Sequence, residues 1–443
     1  MPDASVDTVL AHWTRLVRAQ PDAPALVEAA NGRTWTRAAL DAEANTWRSA
    51  LDKDLAGCRV AFALPNGARW FGVFIGLLRA GAVPVPLDPS EPAASQLQLA
   101  ASAGAPFAWI DDQLKPVCHL ISDKPVRGSF LVKLTSGSTG RPRALAFTDA
   151  QMLADGRQVC TSMGITTADV NFAVIPLGHS YGLGNLVMPL LMQGTAVVCA
   201  SVPLPHALSA DIARWRPTVF PAVPALLRAL AQADLPPNAL LSLRTIISAG
   251  SPLSAETAQA FFQKFNLRPH GFYGSSETGG ITYDRTGEAT LTGRSVGTPL
   301  DGVTLAPRRG GRILVTSAAV NGRLGSYSPA DRASFNEHGE LVLKGRAGRL
   351  VKIAGRRLDL GDLERTLRAL PDVRDAFVCT HPQNPDELAA VLATSLDTSA
   401  LRTLVRRELA AWKVPRRLAV VPEFPLTARG KPDTLRLKHL LIR

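Results

Sequence analysis

Residues 132–145 read VKLTSGSTGRPRAL. An apolar run gives way to Thr135, Ser136, Gly137, Ser138, Thr139 and Gly140, then to Arg141 and Arg143 on either side of a proline. Glycine permits steep backbone turns, and successive amide N–H groups and hydroxyls supply donors for phosphate oxygens. Guanidinium groups add fixed charge in a geometry that matches phosphate. The spacing differs from the G-x-x-x-x-G-K-[ST] of the common P-loop. On its own the stretch leaves two readings open, a phosphate cradle or a flexible turn.

Such a loop needs ordered strands to hang from, and the chain supplies them. Its 443 residues exceed one comfortable core, so two or more domains are expected. The first half alternates short apolar runs (CRVAFALP, AVPVPLD, APFAWID, NFAVIPL, TAVVCA, LRTIISAG) with helix patterns near 67–80, 149–163, 183–193, 206–215, 224–233 and 254–265. That order predicts an α/β fold, with helices covering the faces of β-sheets. Beyond about residue 285, glycine-rich pieces such as RILVTS and GELVLKG predict a small β subdomain. From about 349 the pattern turns to strands, a helix striped by Leu360, Leu363, Leu367 and Leu370, another strand and a second helix in TSALRTLVRRELAAW. The expected division is a large multi-subdomain N-terminal domain, 1–346, and a small α+β C-terminal domain, 347–443.

Composition removes several classes. Hydrophobic residues are 46% of the chain, which argues for an ordered globular protein. The most apolar window, FGVFIGLLRAGAVPVPL, is broken by Arg79, Gly81 and prolines, so it predicts a buried helix and a strand, not a membrane span. No basic-then-apolar leader opens the chain. The five cysteines form no C-x-x-C pair, which predicts buried free thiols in a reducing, cytoplasmic setting. The net charge of +12 is scattered but denser near the end, where VRRELAAWKVPRR reads either as a solvated helix face or as a surface for an acidic or phosphorylated partner. Zinc spacing, a basic zipper and an aromatic–basic RNA signature are all missing, so nucleic acid is not an expected partner.

Three further segments decide the loop. With IPLGHSYGLG (175–184), GFYGSSETGG (271–280) and PLTARGKPDTLR (425–436), it resembles the adenylate-forming (AMP-dependent synthetase/ligase) superfamily, closest in flavour to acyl- and aryl-CoA ligases. The signatures occur in the expected order over nearly the whole chain. The resemblance implies that 135–144 handles the β- and γ-phosphates of ATP, with Arg143 in place of the usual lysine and Ala144 in place of a glycine. It makes Tyr273, beside Gly274, the aromatic residue near adenine, Ser276 the hydroxyl near the α-phosphate, and Glu277 the ligand that organises Mg2+, a hard cation suited to oxygen. Ser248, Ala249 and Gly250 border adenine and substrate, Asp331 takes the ribose hydroxyls, and Arg346 is a ribose-side donor. Lys431 becomes the C-terminal lysine that offsets charge as a carboxylate attacks the α-phosphorus.

The same resemblance implies a mobile C-terminal domain that first delivers Lys431 and then presents a second face, with Gly355, Arg356 and Arg357, to a thiol. Gly348 stands where the hinge aspartate or lysine is usual. His179 borders the carboxylate, and the substrate wall falls to Tyr181, Gly182, Ala222, Val223, Ser248, Ala249, Gly271 and Phe272. These are small or apolar with no acidic clamp, which disfavours amino-acid activation. The implied function is an ATP-dependent ligase that forms an acyl-AMP and passes the acyl group, aryl by preference, to CoA or to phosphopantetheine on an acidic acyl carrier protein. A medium-chain acid is the alternative substrate, and a catalytically inactive nucleotide-binding protein is the alternative class.

Overall fold

A computed structural model describes residues 7–49, 54–110, 113–117, 128–135, 143–346, 349–353, 356–381, 384–409, 411–427 and 431–442. For Arg346, Arg356 and Arg357 it describes the backbone alone. The chain divides into two compact units. One comprises 1–306, 314–327 and 337–341; the other comprises 307–313, 328–336 and 342–443.

The expected helices form close to their predicted places: Ala68–Arg79, Asp149–Met163, Pro205–Trp215, Pro224–Gln232 and Ala255–Phe265. Local chemistry fixes their ends. Thr148 accepts from the Gln151 N–H while the Gln151 side chain accepts from the Thr148 N–H, a reciprocal cap, and Gly164 closes the helix in the left-handed region. The window 183–193 differs from a plain α-helix. Its first five residues, Leu183–Val187, wind as a π-helix before Met188–Gln193 continues as α.

In the larger unit a nine-stranded sheet runs Thr298–Pro299, Gly279–Tyr283, Pro269–Ser275, Thr245–Ser248, Val219–Ala222, Val170–Ala173, Ala196–Cys199, Pro24–Glu28, Arg33–Thr36. Its inner six strands are parallel and its edges antiparallel. Parallel strands are buried on both faces. Phe172, Phe220, Leu227 and Ile246 pack into one cluster, while Leu26, Ala173 and Val197 join another with Trp13, Phe74 and Leu186. The helix Ala68–Arg79 is buried in the latter cluster along most of its length, as its apolar run predicts. Among the described residues no helix is long and apolar enough to cross a membrane.

A four-stranded sheet orders Val83–Pro86, Arg59–Phe62, Phe107–Ile110 and Gln113–Pro116. The proline-containing strand takes the edge, where a missing N–H costs no ladder bond. The strand Leu131–Thr135, which leads into the expected phosphate loop, pairs antiparallel with Arg143–Phe147 and with no other strand among the described residues. A five-stranded sheet follows, ordered Thr304–Arg308, Arg312–Thr316, Asp331–Phe335 and Leu341–Arg346, with Ser326–Tyr327 paired to Arg312–Thr316.

The smaller unit holds the hairpin Leu350–Ile353/Arg356–Asp359, the helix Leu360–Arg368 and a three-stranded sheet of Val373–His381, Asn384–Thr394 and Arg417–Val421. The helix Thr398–Glu408 also lies there. Leu360, Leu363, Leu367 and Leu370 supply its core together with Val378, Leu392 and Val405. The architecture is a large α/β domain with mixed sheets and a smaller α+β domain.

Candidate active site

Sheet register gathers the expected acid wall. Ala222, Ser248 and Gly271 are paired across three adjacent parallel strands, Ala222 and Ser248 at the C-terminal ends of theirs and Gly271 at the last parallel pairing of its own. Ligands of open α/β sheets meet strands at that edge. Val223 and Ala249 are the next residues out, and the Ala249 N–H donates to the Ala222 carbonyl at 3.3 Å. Gly250 then turns at φ +91°, a left-handed conformation that favours glycine. Gly271 is held by Thr290, whose hydroxyl accepts its N–H at 2.8 Å. A Cβ at Gly271 would sit 2.9 Å from that oxygen, so the wall closes on a glycine. Buried Asp284 fixes Thr290 by accepting both its N–H and its hydroxyl at 2.7 Å.

Tyr181 fills the space beside this wall. Its hydroxyl donates to the Ile247 carbonyl at 3.0 Å and lies 3.4 Å from that of Ala222, and its ring meets Phe272 at a centroid distance of 5.8 Å. Burial pushes its phenol well above the usual range, so it is a neutral donor. Gly182 permits a close crossing: a Cβ there would stand 2.1 Å from the Pro176 carbonyl oxygen. His179 Nε2 lies 3.5 Å from Asp88 Oδ2. Ser90 donates its N–H and hydroxyl to the other carboxylate oxygen, at 3.0 and 2.6 Å. The imidazole, helped by Ser90, holds the Asp88 carboxyl well below the ordinary range despite burial.

The strand Pro269–Ser275 outruns its parallel partner and folds back with Gly279–Tyr283 as a hairpin. Its turn carries Ser276 and Glu277. Thr278 locks that turn, accepting from the Ser275 N–H at 3.3 Å and meeting the Ser275 hydroxyl at 3.0 Å. Gly274 is required because a Cβ would fall 2.5 Å from the Gly279 carbonyl. Half-buried Glu277 accepts from the Tyr327 hydroxyl at 3.2 Å, while its carbonyl accepts from the Asn321 N–H at 2.7 Å. Tyr273, opposite Thr282, precedes an irregularity in the pairing. Among the described residues no group of three His, Cys, Asp or Glu side chains forms a metal cage. A single carboxylate nonetheless fits Mg2+ that arrives on nucleotide phosphates, since that ion takes one or two carboxylates plus phosphate oxygens.

Thr135 and Arg143 face one another across the phosphate-loop hairpin, the arginine exposed. Ser136, Gly137, Ser138, Thr139 and Gly140 lie outside the described residues, as do Arg141, Gly348 and Gly355. In the smaller unit, half-buried Asp331 opens the strand Asp331–Phe335, and Arg346 ends Leu341–Arg346. Arg356 and Arg357 begin the returning arm of the hairpin at 350–359. Lys431 is exposed and its backbone is bound to Thr427, which donates its N–H to the Lys431 carbonyl at 2.7 Å and accepts the Lys431 N–H at its hydroxyl at 3.3 Å. Asp433 then caps the helix Thr434–His439 through the N–H groups of Leu435 and Arg436.

Sequence reasoning passed over Asp88, Tyr327, Thr290 and Asp284. Asp88 carried one local signal, a serine two residues on in PLDPS, which suits an aspartate-centred turn. The others become visible only through contacts distant in sequence.

Two family models match this chain: AMP-binding enzyme over residues 13–133 and 129–347, and AMP-binding enzyme C-terminal domain over 362–431. Among curated relatives, the probable non-canonical nonribosomal peptide synthetase CymA of Salinispora arenicola is 28% identical over 98% of this chain, which spans 6% of that protein. The benzoate–CoA ligase of Thauera aromatica is 28% identical over 69% of this chain and 64% of its own length. Among solved structures, ATP-bound MatB from Rhodopseudomonas palustris superposes with a TM-score of 0.82 at 19% identity, covering 98% of each chain. With both models matched in order along most of its length, the chain belongs to the AMP-binding enzyme family.

Proposed function

We propose that this protein activates an aromatic carboxylic acid as its acyl-AMP and transfers the acyl group to the thiol of CoA. Family membership carries the coarser half: the chain is an ATP-dependent acid–thiol ligase that works through an acyl-adenylate. The finer half rests on one observation. Tyr181 is a half-buried, tethered ring beside Phe272, next to the paired wall residues Ala222, Ser248 and Gly271. Flat rings pack on such a surface, whereas a long alkyl chain needs an open channel past it.

In the first half-reaction a carboxylate oxygen attacks the α-phosphorus and pyrophosphate leaves. His179, oriented by Asp88, holds the carboxylate; Ser276 donates to the α-phosphate; Tyr273 and Ser248–Gly250 border adenine. Loop 135–144 with Arg143 cradles the outer phosphates, and Asp331 and Arg346 take the ribose side. Mg2+ held by Glu277 supplies charge neutralisation on the phosphates. Lys431 offsets the charge developing at the reaction centre, so the terminal domain, 347–443, has to deliver it. In the second half-reaction a thiol attacks the acyl carbonyl and AMP leaves, with Gly355, Arg356 and Arg357 on the thiol-facing side. No protein nucleophile is needed, and proximity and preorganised charge carry both steps. The described cysteines are all free, and burial pushes the Cys160 thiol up to about 12, which fits an inert thiol in the cytoplasm.

The acceptor side is basic. Residues 398–443 contain 11 Lys and Arg against three Asp and Glu, so an acidic phosphopantetheinylated carrier protein is the acceptor to set against CoA. A panel of carboxylic acids, read by pyrophosphate release and mass detection of the acyl-AMP, tests the substrate. Aromatic acids turning over at least ~10-fold faster than medium-chain acids support the reading, and the reverse order replaces it. Thioester rates with CoA and with carriers then fix the acceptor. Release that continues undiminished in K431A would refute the assignment of the lysine.

A further inference from the structure

The turn of Ser276 and Glu277 is held on both flanks by residues outside every sequence signature. Two of them, Gln151 and Asp155, stand four residues apart on the helix Asp149–Met163 and so on one face of it. On the strand that leaves the turn, the Gly280 N–H donates to Oδ1 of buried Asp155 at 3.0 Å. The fit is close, since a Cβ at Gly279 would lie 2.2 Å from that oxygen. Gln151 donates from Nε2 to the Val320 carbonyl at 2.8 Å. The next residue, Asn321, donates its N–H to the Glu277 carbonyl at 2.7 Å. One helix therefore anchors the turn through Gly280 and, by way of 320–321, through Glu277 itself.

The segment after Asn321 comes back to the same glutamate. A Cβ at Gly322 would stand 2.2 Å from the Ser326 carbonyl oxygen, so the loop crosses itself on a glycine. Leu324, at φ +56°, and Gly325, at φ +66°, take the left-handed region in succession. Leucine adopts that region at a cost, and here its side chain is 92% exposed, so packing does not repay it. Backbone held this way concentrates at functional sites. The loop is fastened by the Ser317 N–H, which donates to the Gly325 carbonyl at 3.1 Å, and by pairing of Tyr327 with Val315. It delivers half-buried Tyr327, whose hydroxyl donates to Glu277 Oε1 at 3.2 Å.

A glutamate side chain in water samples several rotamers, and a cation site gains when one of them is fixed beforehand. A carboxylate accepts at about four lone-pair positions, so one hydroxyl bond orients it and leaves capacity for a cation. A phenol suits this task because it donates without positive charge. A lysine or arginine in its place would offset the negative charge that a cation needs.

We propose that Tyr327 is a positioning residue for Glu277: its hydroxyl fixes the carboxylate, on a turn that Gln151 and Asp155 hold in place, and so sets Mg2+ affinity in the nucleotide complex while leaving acid binding alone. This rests on the proposed role of Glu277 as the Mg2+ ligand.

The test uses the full-length protein as wild type, Y327F, E277Q and Y327F/E277Q. Phenylalanine keeps the ring and its packing and removes the donor. Three measurements are made: the thermal midpoint, the dissociation constant of a fluorescent ATP analogue with saturating Mg2+ and with EDTA, and the Mg2+ requirement and acid KM in pyrophosphate release. Loss of an outer partner of a metal ligand typically lowers metal affinity by roughly 10–100-fold, and phosphate oxygens that supply further ligands place this case near the bottom of that range. In Y327F the gain in analogue affinity on adding Mg2+ should fall at least ~5-fold, with EDTA affinity within ~2-fold and acid KM within ~3-fold of wild type. Adding Y327F to E277Q should leave the Mg2+ requirement within ~2-fold of E277Q alone, because the hydroxyl acts through the carboxylate. A Y327F that gains as much from Mg2+ as wild type overturns the proposal, whatever its thermal midpoint. So does equal weakening with and without Mg2+, or a further ~5-fold rise in Mg2+ requirement in the double variant. An E277Q indistinguishable from wild type in Mg2+ response sinks the role of Glu277 and this proposal together, whereas a weakened E277Q beside an unchanged Y327F sinks this proposal alone.

Discussion

Replacing Asp88 with asparagine isolates what the carboxylate does for His179. The two groups meet because Gly178 lets the 176–179 segment press on the edge strand Val83–Pro86; a Cβ there would stand 2.8 Å from the Pro86 Cβ. Asp88 is 4% and His179 24% exposed in their side chains, with 3.5 Å between Nε2 and Oδ2. Unit charges at that distance attract by about 1 kcal/mol in water and about 5 kcal/mol at an effective dielectric of ~20. A quarter-exposed imidazole falls toward the lower end, so ~1.5 kcal/mol, or roughly one pH unit, is the expected coupling. The interaction that lowers the Asp88 carboxyl also favours the imidazolium, which on the proposed reading is the form that attracts a substrate carboxylate. Asparagine keeps the Ser90 bonds and removes the charge. The assay is pyrophosphate release at saturating Mg·ATP from pH 5.5 to 9. The alkaline limb of kcat/KM for the acid should move about one unit lower in D88N, giving a roughly 10-fold higher acid KM on the shifted limb with ATP KM unchanged. Stability follows the same linkage. A carboxyl whose folded pKa is depressed stabilises above its unfolded value near 4 and loses that contribution as pH falls through the folded value. The melting gap between wild type and D88N is therefore full at pH 7 and narrows below about pH 4. A limb displaced by less than ~0.3 unit, or an unchanged acid KM alongside a lower melting point, would show that His179 is only structural.

Two other substitutions address the acid wall and the cation. Y181F removes the hydroxyl bond to the Ile247 carbonyl at a cost of about 1–2 kcal/mol, read as a lower thermal midpoint with acid preference unchanged. Y181A removes the ring as well, so the ratio of medium-chain to aromatic acid turnover should rise at least ~10-fold; an unchanged ratio would place the pocket elsewhere. E277Q keeps the acceptor for the Tyr327 hydroxyl but removes the charge proposed to hold Mg2+. Its Mg2+ requirement in exchange should rise at least ~10-fold with acid KM within ~3-fold, and a wild-type Mg2+ titration would remove Glu277 from the cation site.

Helices were legible where a single periodicity governed them. The stripe of Leu360, Leu363 and Leu367, and the caps at Thr148 and Gly164, are local properties, and the elements form where those properties place them. The π-helical turn at Leu183–Val187 was not legible, because an i to i+5 winding leaves no apolar repeat of its own. What accompanies it is packing: Gly182 against the Pro176 carbonyl and Gly184 against Asp155. The site divides in the same way. Ser276, Glu277 and the wall residues stand in short contiguous signatures. Asp88 and His179, or Glu277 and Tyr327, are brought together only by the fold, and pairing between such distant residues has no periodicity to betray it.

Lys133 shows why a strand pattern can mislead. In LVKLT the alternation sets Val132 and Leu134 on one face and Leu131, Lys133 and Thr135 on the other. With a lysine and a threonine, that second face reads as solvated. The structure buries both faces: Val132 packs with Val85 and Ala108, while Leu131 packs with Phe74, Phe147 and Leu153. A lysine on a doubly buried strand has no solvent to reach, so its charge needs a counterpart inside the protein. Its ammonium lies over the Phe147 ring instead, 4.1 Å from the centroid. The alternation is therefore a sound guide to direction and a poor guide to exposure, because exposure depends on what covers the hairpin. Part of that cover is the helix Asp149–Met163, whose Met152 and Leu153 share one apolar cluster with Leu131 and Phe147.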